Sequence, residues 1–258
     1  MSDSRRQQIL DIVREVGAVS VDELLQRFDV TPQTIRKDLN RLCEERLLTR
    51  THGGARLASS VENMSYEARR MLACDQKQAI GRAAADLIPD NASLFVNIGT
   101  TTEAVAQALL HHDQLMVITN NINVASLMRH YAQNKVVIAS GEVRSSDGGI
   151  IGGAAVDFIK QFKVDFAVIG ASAIDADGAL LDFDYREVKV SQAILSNARH
   201  VILVADATKH ERTAPVRIGH ISQVHSFVTD YCPGPGFRRL LSGFEVRTIE
   251  TLAMAADQ

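Results

Sequence analysis

Ile9, Ile12, Val13 and Val16 recur at the three- and four-residue spacing of a helix that buries one face, and Gly17 stands where a glycine stop is expected. Ser20, Val21, Asp22 and Glu23 then form a capping box, in which a hydroxyl and a carboxylate satisfy the orphan amides of a helix start. Leu24, Leu25 and Phe28 supply the apolar side of that short second helix. After a turn at Asp29 and Val30, Thr31 is a good N-cap and Pro32 a good first residue, since its missing N–H would be unpaired anyway. In the third helix so opened, at about 100° per residue, Ile35, Leu39, Leu42 and Arg46 share one side. Gln33, Lys37, Asn40 and Glu44 lie opposite, flanked by Thr34, Arg36 and Arg41.

The next stretch, LLTRTHGGARL at 47–57, reads as two short β segments around the turn pair Gly53 and Gly54. Two short helices, a longer one with polar and basic residues on its exposed N-terminal half, and a basic hairpin make a winged helix-turn-helix. In that plan Gln33 and Asn40 suit adenine, Arg36 and Arg41 suit guanine, and Thr31, Thr34 and Lys37 suit phosphates. Arg50, His52 and Arg56 of the wing are placed for the sugar-phosphate backbone or the minor groove. The competing reading is a solvated helix face, with His52 a plain turn residue.

From Ala55 the chain turns polar and loses periodicity, so residues 58–74 are expected to be a linker between a DNA-binding domain at 1–57 and a second domain at 75–258. Beyond it, β-rich apolar runs (SLFVNI, LMVITN, KVVIAS, VDFAVIG, HVILVAD, FVTD) alternate with helical ones (EAVAQALL, VASLMRHY, REVKVSQAILSNA). This alternation predicts an α/β domain with a mainly parallel sheet and helices on both faces. Ligands of such sheets gather outside the carboxyl ends of strands, and three of those ends carry chemistry. Gly99, Thr100, Thr101 and Thr102 offer hydroxyls and amides at a helix start, which suits a phosphate, although a plain capped turn has the same composition. Arg144 stands among Gly141, Gly148, Gly149, Gly152 and Gly153, where it can pair with an anion. Asp206 and Lys209 follow an apolar strand, and that lysine either neutralises a phosphate or is solvated.

Composition constrains these readings little. Hydrophobic residues are 46% and charged residues 23% of 258, as in folded globular proteins. The formal charge of -3 does not advertise nucleic-acid binding, yet six cations face three anions between residues 30 and 57. No signal-peptide core or run of roughly 18 apolar residues is present, so a cytoplasmic chain without membrane contact is expected. Cys43, Cys74 and Cys232 form no C-x-x-C pair, and neither a metal site nor a cofactor is expected.

RRQQILDIV, VSVDELLQRFDVTPQTIRKDLNRL and RTHGGA resemble the DeoR family of bacterial transcription regulators. The second half is similar to that family's sensor domain, which resembles the sugar-phosphate isomerase fold of ribose-5-phosphate isomerase. The resemblance places GTTT as a phosphate loop, Glu187 of YREVK where isomerases carry a catalytic glutamate, and Asp206 and Lys209 of DATK as ligand-binding residues. One departure bears on chemistry: GASAI puts Ser172 and Ala173 where the isomerases have acids, which favours binding without turnover. Glu187 then either hydrogen-bonds a ligand hydroxyl or is a surface helix residue. The resemblance implies a non-catalytic repressor, a dimer or tetramer, that binds operator DNA and is released by a phosphorylated small molecule. LFVNIGTTTEAVAQALL and LLDFDYREV carry the likeness within the family that implies glycerol-3-phosphate, with Asn120, Asp206 or Glu187 available for its hydroxyls. An isomerase-like enzyme with a DNA-binding domain, or a regulator of this family sensing another sugar phosphate, are the alternatives.

Overall fold

The structure is a computed structural model that describes residues 2–16, 18–45, 47–51, 53–57 and 65–252. Gly17, Arg46, His52 and residues 58–64 of the expected linker lie outside these, so their expected roles are not placed. The chain divides into two units, Met1–Met64 and Ser65–Gln258.

The first unit runs α1 (Ser2–Val16), β1 (Ala18–Ser20), α2 (Val21–Leu25), α3 (Pro32–Glu44), β2 (Leu48–Thr51) and β3 (Gly54–Leu57). Ile9, Leu10 and Val13 of α1, Leu24 of α2, and Ile35, Leu39 and Leu42 of α3 meet in one core. Val16, expected on that face, is 55% exposed because it is the last residue of α1, where the chain leaves the core. Both predicted caps form: the Ser20 hydroxyl accepts from the Glu23 amide at 3.1 Å, and that of Thr31 from the Thr34 amide at 3.3 Å. The wing is three-stranded and antiparallel, in the order β1-β3-β2. Its first strand is not legible beforehand, since three residues cannot show an alternation. Gly54 is what lets that strand approach: a Cβ there would lie 2.0 Å from the carbonyl oxygen of Val19.

The second unit opens with α4 (Tyr66–Met71) and α5 (Cys74–Ala85), then β4 (Ser93–Val96), α6 (Thr100–Ala108), β5 (Met116–Thr119), α7 (Ile122–Met128) and β6 (Lys135–Ile138). A hairpin of β7 (Glu142–Val143) and β8 (Ile150–Ile151) precedes α8 (Gly153–Ile159) and β9 (Val164–Ile169). Next come β10 (Ala173–Ile174), β11 (Ala179–Asp182), α9 (Tyr185–Ser196), β12 (Ala198–Val204), β13 (Val216–His220), β14 (Ser226–Thr229), α10 (Gly234–Gly243) and β15 (Arg247–Glu250). Seven strands form one parallel sheet in the order β15-β14-β12-β9-β4-β5-β6.

Strand residues alternate between two cores. Phe95, Ile118, Ala167, Leu203 and Phe227 pack with side chains of α8, α9 and α10. Leu94, Val117, Val168, Ile202 and Val228 pack with those of α5, α6 and α7 on the other face. With both faces covered, each strand reads as a continuous apolar run. The chain first winds from β4 outward to β6, then returns to the other side of β4 as β9, so the winding reverses between β4 and β9. That reversal leaves a crevice at the carboxyl ends of these two strands.

Two features depart from expectation. The small antiparallel sheet β10-β11-β13 and the β7-β8 hairpin carry no periodic signal because most of their strands are two residues long. More consequentially, the expected linker contains α4, capped by Ser65, whose hydroxyl accepts from the Ala68 amide at 3.3 Å. This helix buries no residue fully. Polar contacts hold it instead, which an apolar pattern cannot reveal.

Candidate functional site

In the first unit, α3 turns Gln33, Arg36, Lys37, Asn40 and Arg41 to solvent while Ile35, Leu39 and Leu42 are buried. Thr34 is half-buried, its hydroxyl 2.9 Å from that of Thr31. Arg41 is engaged by Glu45 at 2.7 Å and Glu44 at 3.6 Å, and Arg50 donates to the Gly54 carbonyl at 3.3 Å. A concavity beside the helix is lined by Arg5, Arg6, Gln33, Thr34, Lys37 and Asn40, among others. Asp38, inside the same polar stretch, points inward: only 6% exposed, it accepts from Arg5 Nε of α1 at 2.6 Å. Arg5 therefore sits within the first helix and ties it to the third.

In the second unit the expected effector residues all lie at carboxyl ends of the parallel strands or on the elements that follow them. Gly99 to Thr102 follow β4 and open α6, Asn120 follows β5, and Ser172 follows β9. Asp206 and Lys209 follow β12, Arg144 and Gly149 belong to the β7-β8 hairpin, and Glu187 lies in the first turn of α9. Gly99 takes φ +148°, and α6 starts there with no side-chain cap, leaving its first amides to an outside partner. The Thr102 hydroxyl faces inward, 2.7 Å from the Asn97 carbonyl and 2.8 Å from that of Gly99, and so serves the turn. Thr100, half-buried, is the more accessible of the three threonines. Asn120 is fully buried; its amide nitrogen donates to Ile150 O at 3.3 Å while its Oδ1 has no partner.

Arg144 is a hub. Its guanidinium donates to Asp147 at 2.8 and 2.7 Å, to Asp184 at 3.1 Å and to Glu187 at 2.5 Å. Among the described residues, the groups that this guanidinium meets within the protein are all carboxylates. Glu187 is 7% exposed, which rules out the surface-helix reading. Burial and then the charge of Asp182 push its carboxyl up to about 8, against the pull of Arg144. Burial likewise raises Asp182, whose Oδ2 accepts from the Ser172 hydroxyl at 3.1 Å.

This pair adds to the picture drawn from Ser172 and Ala173. Acids are absent from those two positions, but β11 and α9 bring Asp182 and Glu187 into the same crevice, so the departure alone does not empty the pocket of carboxylates. Ala173 is buried in β10 and carries no polar group.

At the end of β12, Asp206 is 1% and Lys209 8% exposed, which overturns the solvated reading of that lysine. Burial brings the Lys209 ammonium down to about 8, against the attraction of Asp206. Burial raises Asp206, but Lys209 and a hydrogen bond from Thr208 outweigh it and hold the carboxyl below the ordinary range. Asp206 Oδ2 is buried without a partner. A buried lysine beside an acceptor with spare capacity suits a small phosphorylated polyol, with the dianion at the cation and a hydroxyl at the carboxylate. Sequence reasoning missed Arg69, Lys77, Asp147, Asp182 and Asp184; only the density of acids in LLDFDYREV hinted at the last two.

Residues 5–61 match the DeoR-like helix-turn-helix domain and residues 73–231 the DeoR C-terminal sensor domain. The chain is 46% identical to the glycerol-3-phosphate regulon repressor of Escherichia coli (strain K12), over 94% of this chain and 96% of that one. It is 50% identical to the protein of the same name from Haemophilus influenzae, over 89% of each. Among solved structures, ribose 5-phosphate isomerase A from Neisseria gonorrhoeae is similar over 52% of each chain, at 12% identity and a TM-score of 0.39.

Proposed function

The chain belongs to the DeoR family of transcription regulators, and on that premise we propose that it is a cytoplasmic, homo-oligomeric repressor released from its operator by glycerol-3-phosphate. The observation that carries this reading is the pairing, in one chain, of an exposed Gln33-Arg36-Lys37-Asn40 face with a crevice that holds buried Lys209 beside Asp206, whose Oδ2 is buried without a partner. Gln33 and Asn40 read bases, Arg36 and Arg41 guanine or backbone, and Thr31, Thr34, Lys37, Arg50 and His52 fix the register on phosphates. Paired recognition helices in a dimer or tetramer then meet repeated half-sites. The likeness to glycerol-3-phosphate regulon repressors supports this choice of effector. Gly99, Thr100 and Thr101 receive the phosphate together with Lys209, while Asp206 and Asn120 take hydroxyls. Gly149, Ser172 and Glu187 shape the crevice around them. For release, the effector binds the weak-DNA state more tightly than the strong one.

The test is fluorescence anisotropy on DNA from the chain's own promoter region, titrated with glycerol-3-phosphate at fixed salt. Release of specifically bound DNA is expected. Tight binding indifferent to this ligand removes the effector assignment and leaves the other sugar phosphates. A second reading, proton transfer on a sugar phosphate, is favoured by one observation: the buried Asp182 and Glu187 pair with raised carboxyls. A coupled isomerase assay decides it, since turnover lost in Glu187→Gln would make the chain an enzyme.

A further inference from the structure

We propose that Arg69 is an effector-binding residue, so that the site extends onto α4, the helix that follows the DNA-binding unit in the chain. The inference rests on the phosphorylated-effector reading and goes beyond it by naming a ligand contact outside the strand ends.

Three observations place it. The Arg69 side chain is 15% exposed and uses Nη2 on Asp147 Oδ2 at 3.2 Å, but its Nε is buried without a partner. Asp147 does not need that contact to be neutralised, because two N–H groups of Arg144 already hold it at 2.8 and 2.7 Å and the Gly149 amide reaches it at 3.3 Å. Burial depresses the ammonium groups of Lys77 and Lys209 first, Asp206 opposes this, and the positive charges of Arg212 and Arg69 add to the depression of both. Cations held close together in a buried space repel one another, and an anion that enters among them is attracted by each. A phosphate dianion supplies that charge, and its oxygens accept from a guanidinium through directed N–H groups.

The helix is anchored so that Arg69 is held there. Near its start, Tyr66 Oη donates to Glu103 Oε2 at 2.7 Å and accepts from Asn123 Nδ2 at 3.1 Å. Glu103 lies in the first turn of α6, just beyond the threonine loop. Near its end, buried Lys77 donates to the carbonyls of Arg69 and Leu72, the latter at 2.6 Å. Arg69 thus sits on a helix tied to the threonine loop's own helix and to the lysine beside the cation cluster.

The experiment is calorimetric titration of the full-length protein with glycerol-3-phosphate, for wild type, Arg69→Gln, Arg69→Lys and Asp147→Asn. Expected are a loss of at least tenfold in affinity for Arg69→Gln and a smaller loss for Arg69→Lys, which keeps the charge without the fork. Asp147→Asn, which weakens the strut and leaves the guanidinium, is expected to stay within about threefold. Wild-type affinity in Arg69→Gln, or equal losses in Arg69→Gln and Asp147→Asn, would make Arg69 a strut and overturn the inference. Should Arg69→Gln fail to fold, the Arg69→Lys and Asp147→Asn comparison carries the same decision. If wild type ignores glycerol-3-phosphate, the effector assignment fails first, and the same series with inorganic phosphate still reads Arg69. No phosphate binding by wild type would overturn both.

Discussion

Replacing Arg5 by alanine asks whether the arginine in the first helix touches DNA or builds the domain. Arg5 Nε lies 2.6 Å from Asp38 Oδ2, with side-chain exposures of 20% and 8%, so the substitution strands a buried carboxylate between α1 and α3. Breaking a fully buried pair costs about 3–5 kcal/mol. Arg5 keeps one-fifth of its side chain in solvent, which brings the expectation down to about 2 kcal/mol. For a unit of some 60 residues that is a large fraction of total stability, and at roughly 4–8 °C per kcal/mol it lowers its melting transition by about 8–16 °C. Differential scanning calorimetry of the whole chain is the assay, with the sensor unit's transition as the internal control. Replacing the pair together, as Arg5→Met with Asp38→Leu, is expected to recover most of the loss, because no charge is left stranded. If Arg5→Ala shifts the first transition by under about 2 °C yet weakens operator binding with a shallower salt slope, the ion-pair reasoning is wrong and Arg5 is a phosphate contact.

The same geometry sets other outcomes. Lys37→Ala is expected to weaken operator binding across DNA sequences and to reduce the slope of log K against log salt by about 0.9, measured by anisotropy; an unchanged slope returns Lys37 to the solvated face. Thr100→Val is expected to leave ligand-free operator affinity intact and to raise the effector concentration needed for release; a normal response would show that the threonine hydroxyl is not used. Glu187 binds its proton more tightly folded than unfolded, with its carboxyl pushed up to about 8 from 4.5. Its contribution to stability is therefore present at low pH and lost as pH rises toward 8. Melting temperatures between pH 5 and 8 are expected to fall more steeply in wild type than in Glu187→Gln, and parallel profiles would count against the shifted carboxyl. Lys209 has the opposite sign and a different window: its ammonium, brought down to about 8 from 10.5, is more easily deprotonated in the folded state, so its contribution rises with pH between about 8 and 10.5.

The helix-turn-helix and the parallel sheet were legible because their signals are local. A capping box, a proline at a helix start and apolar residues at helical spacing act within one turn, and a strand covered on both faces must be apolar throughout. The same local logic pointed to the chemistry at Gly99–Thr102 and at Asp206 and Lys209, since a strand end followed by polar residues is visible in one dimension. It stopped at charge partners. Arg5 with Asp38, Arg144 with Glu187, and Arg69 with Asp147 join positions 33, 43 and 78 apart, and no periodicity links them. Asp38 lies in a run of polar residues and reads as one more exposed side chain until α1 is packed against it. Arg69 reads as linker until α4 folds onto the sensor unit. Sequence determined which backbone elements form and which faces they bury, because hydrogen bonding and apolar periodicity are set by near neighbours. The tertiary structure alone decided which buried charges share a cavity, because the interaction between charges depends on their separation and burial in space rather than along the chain.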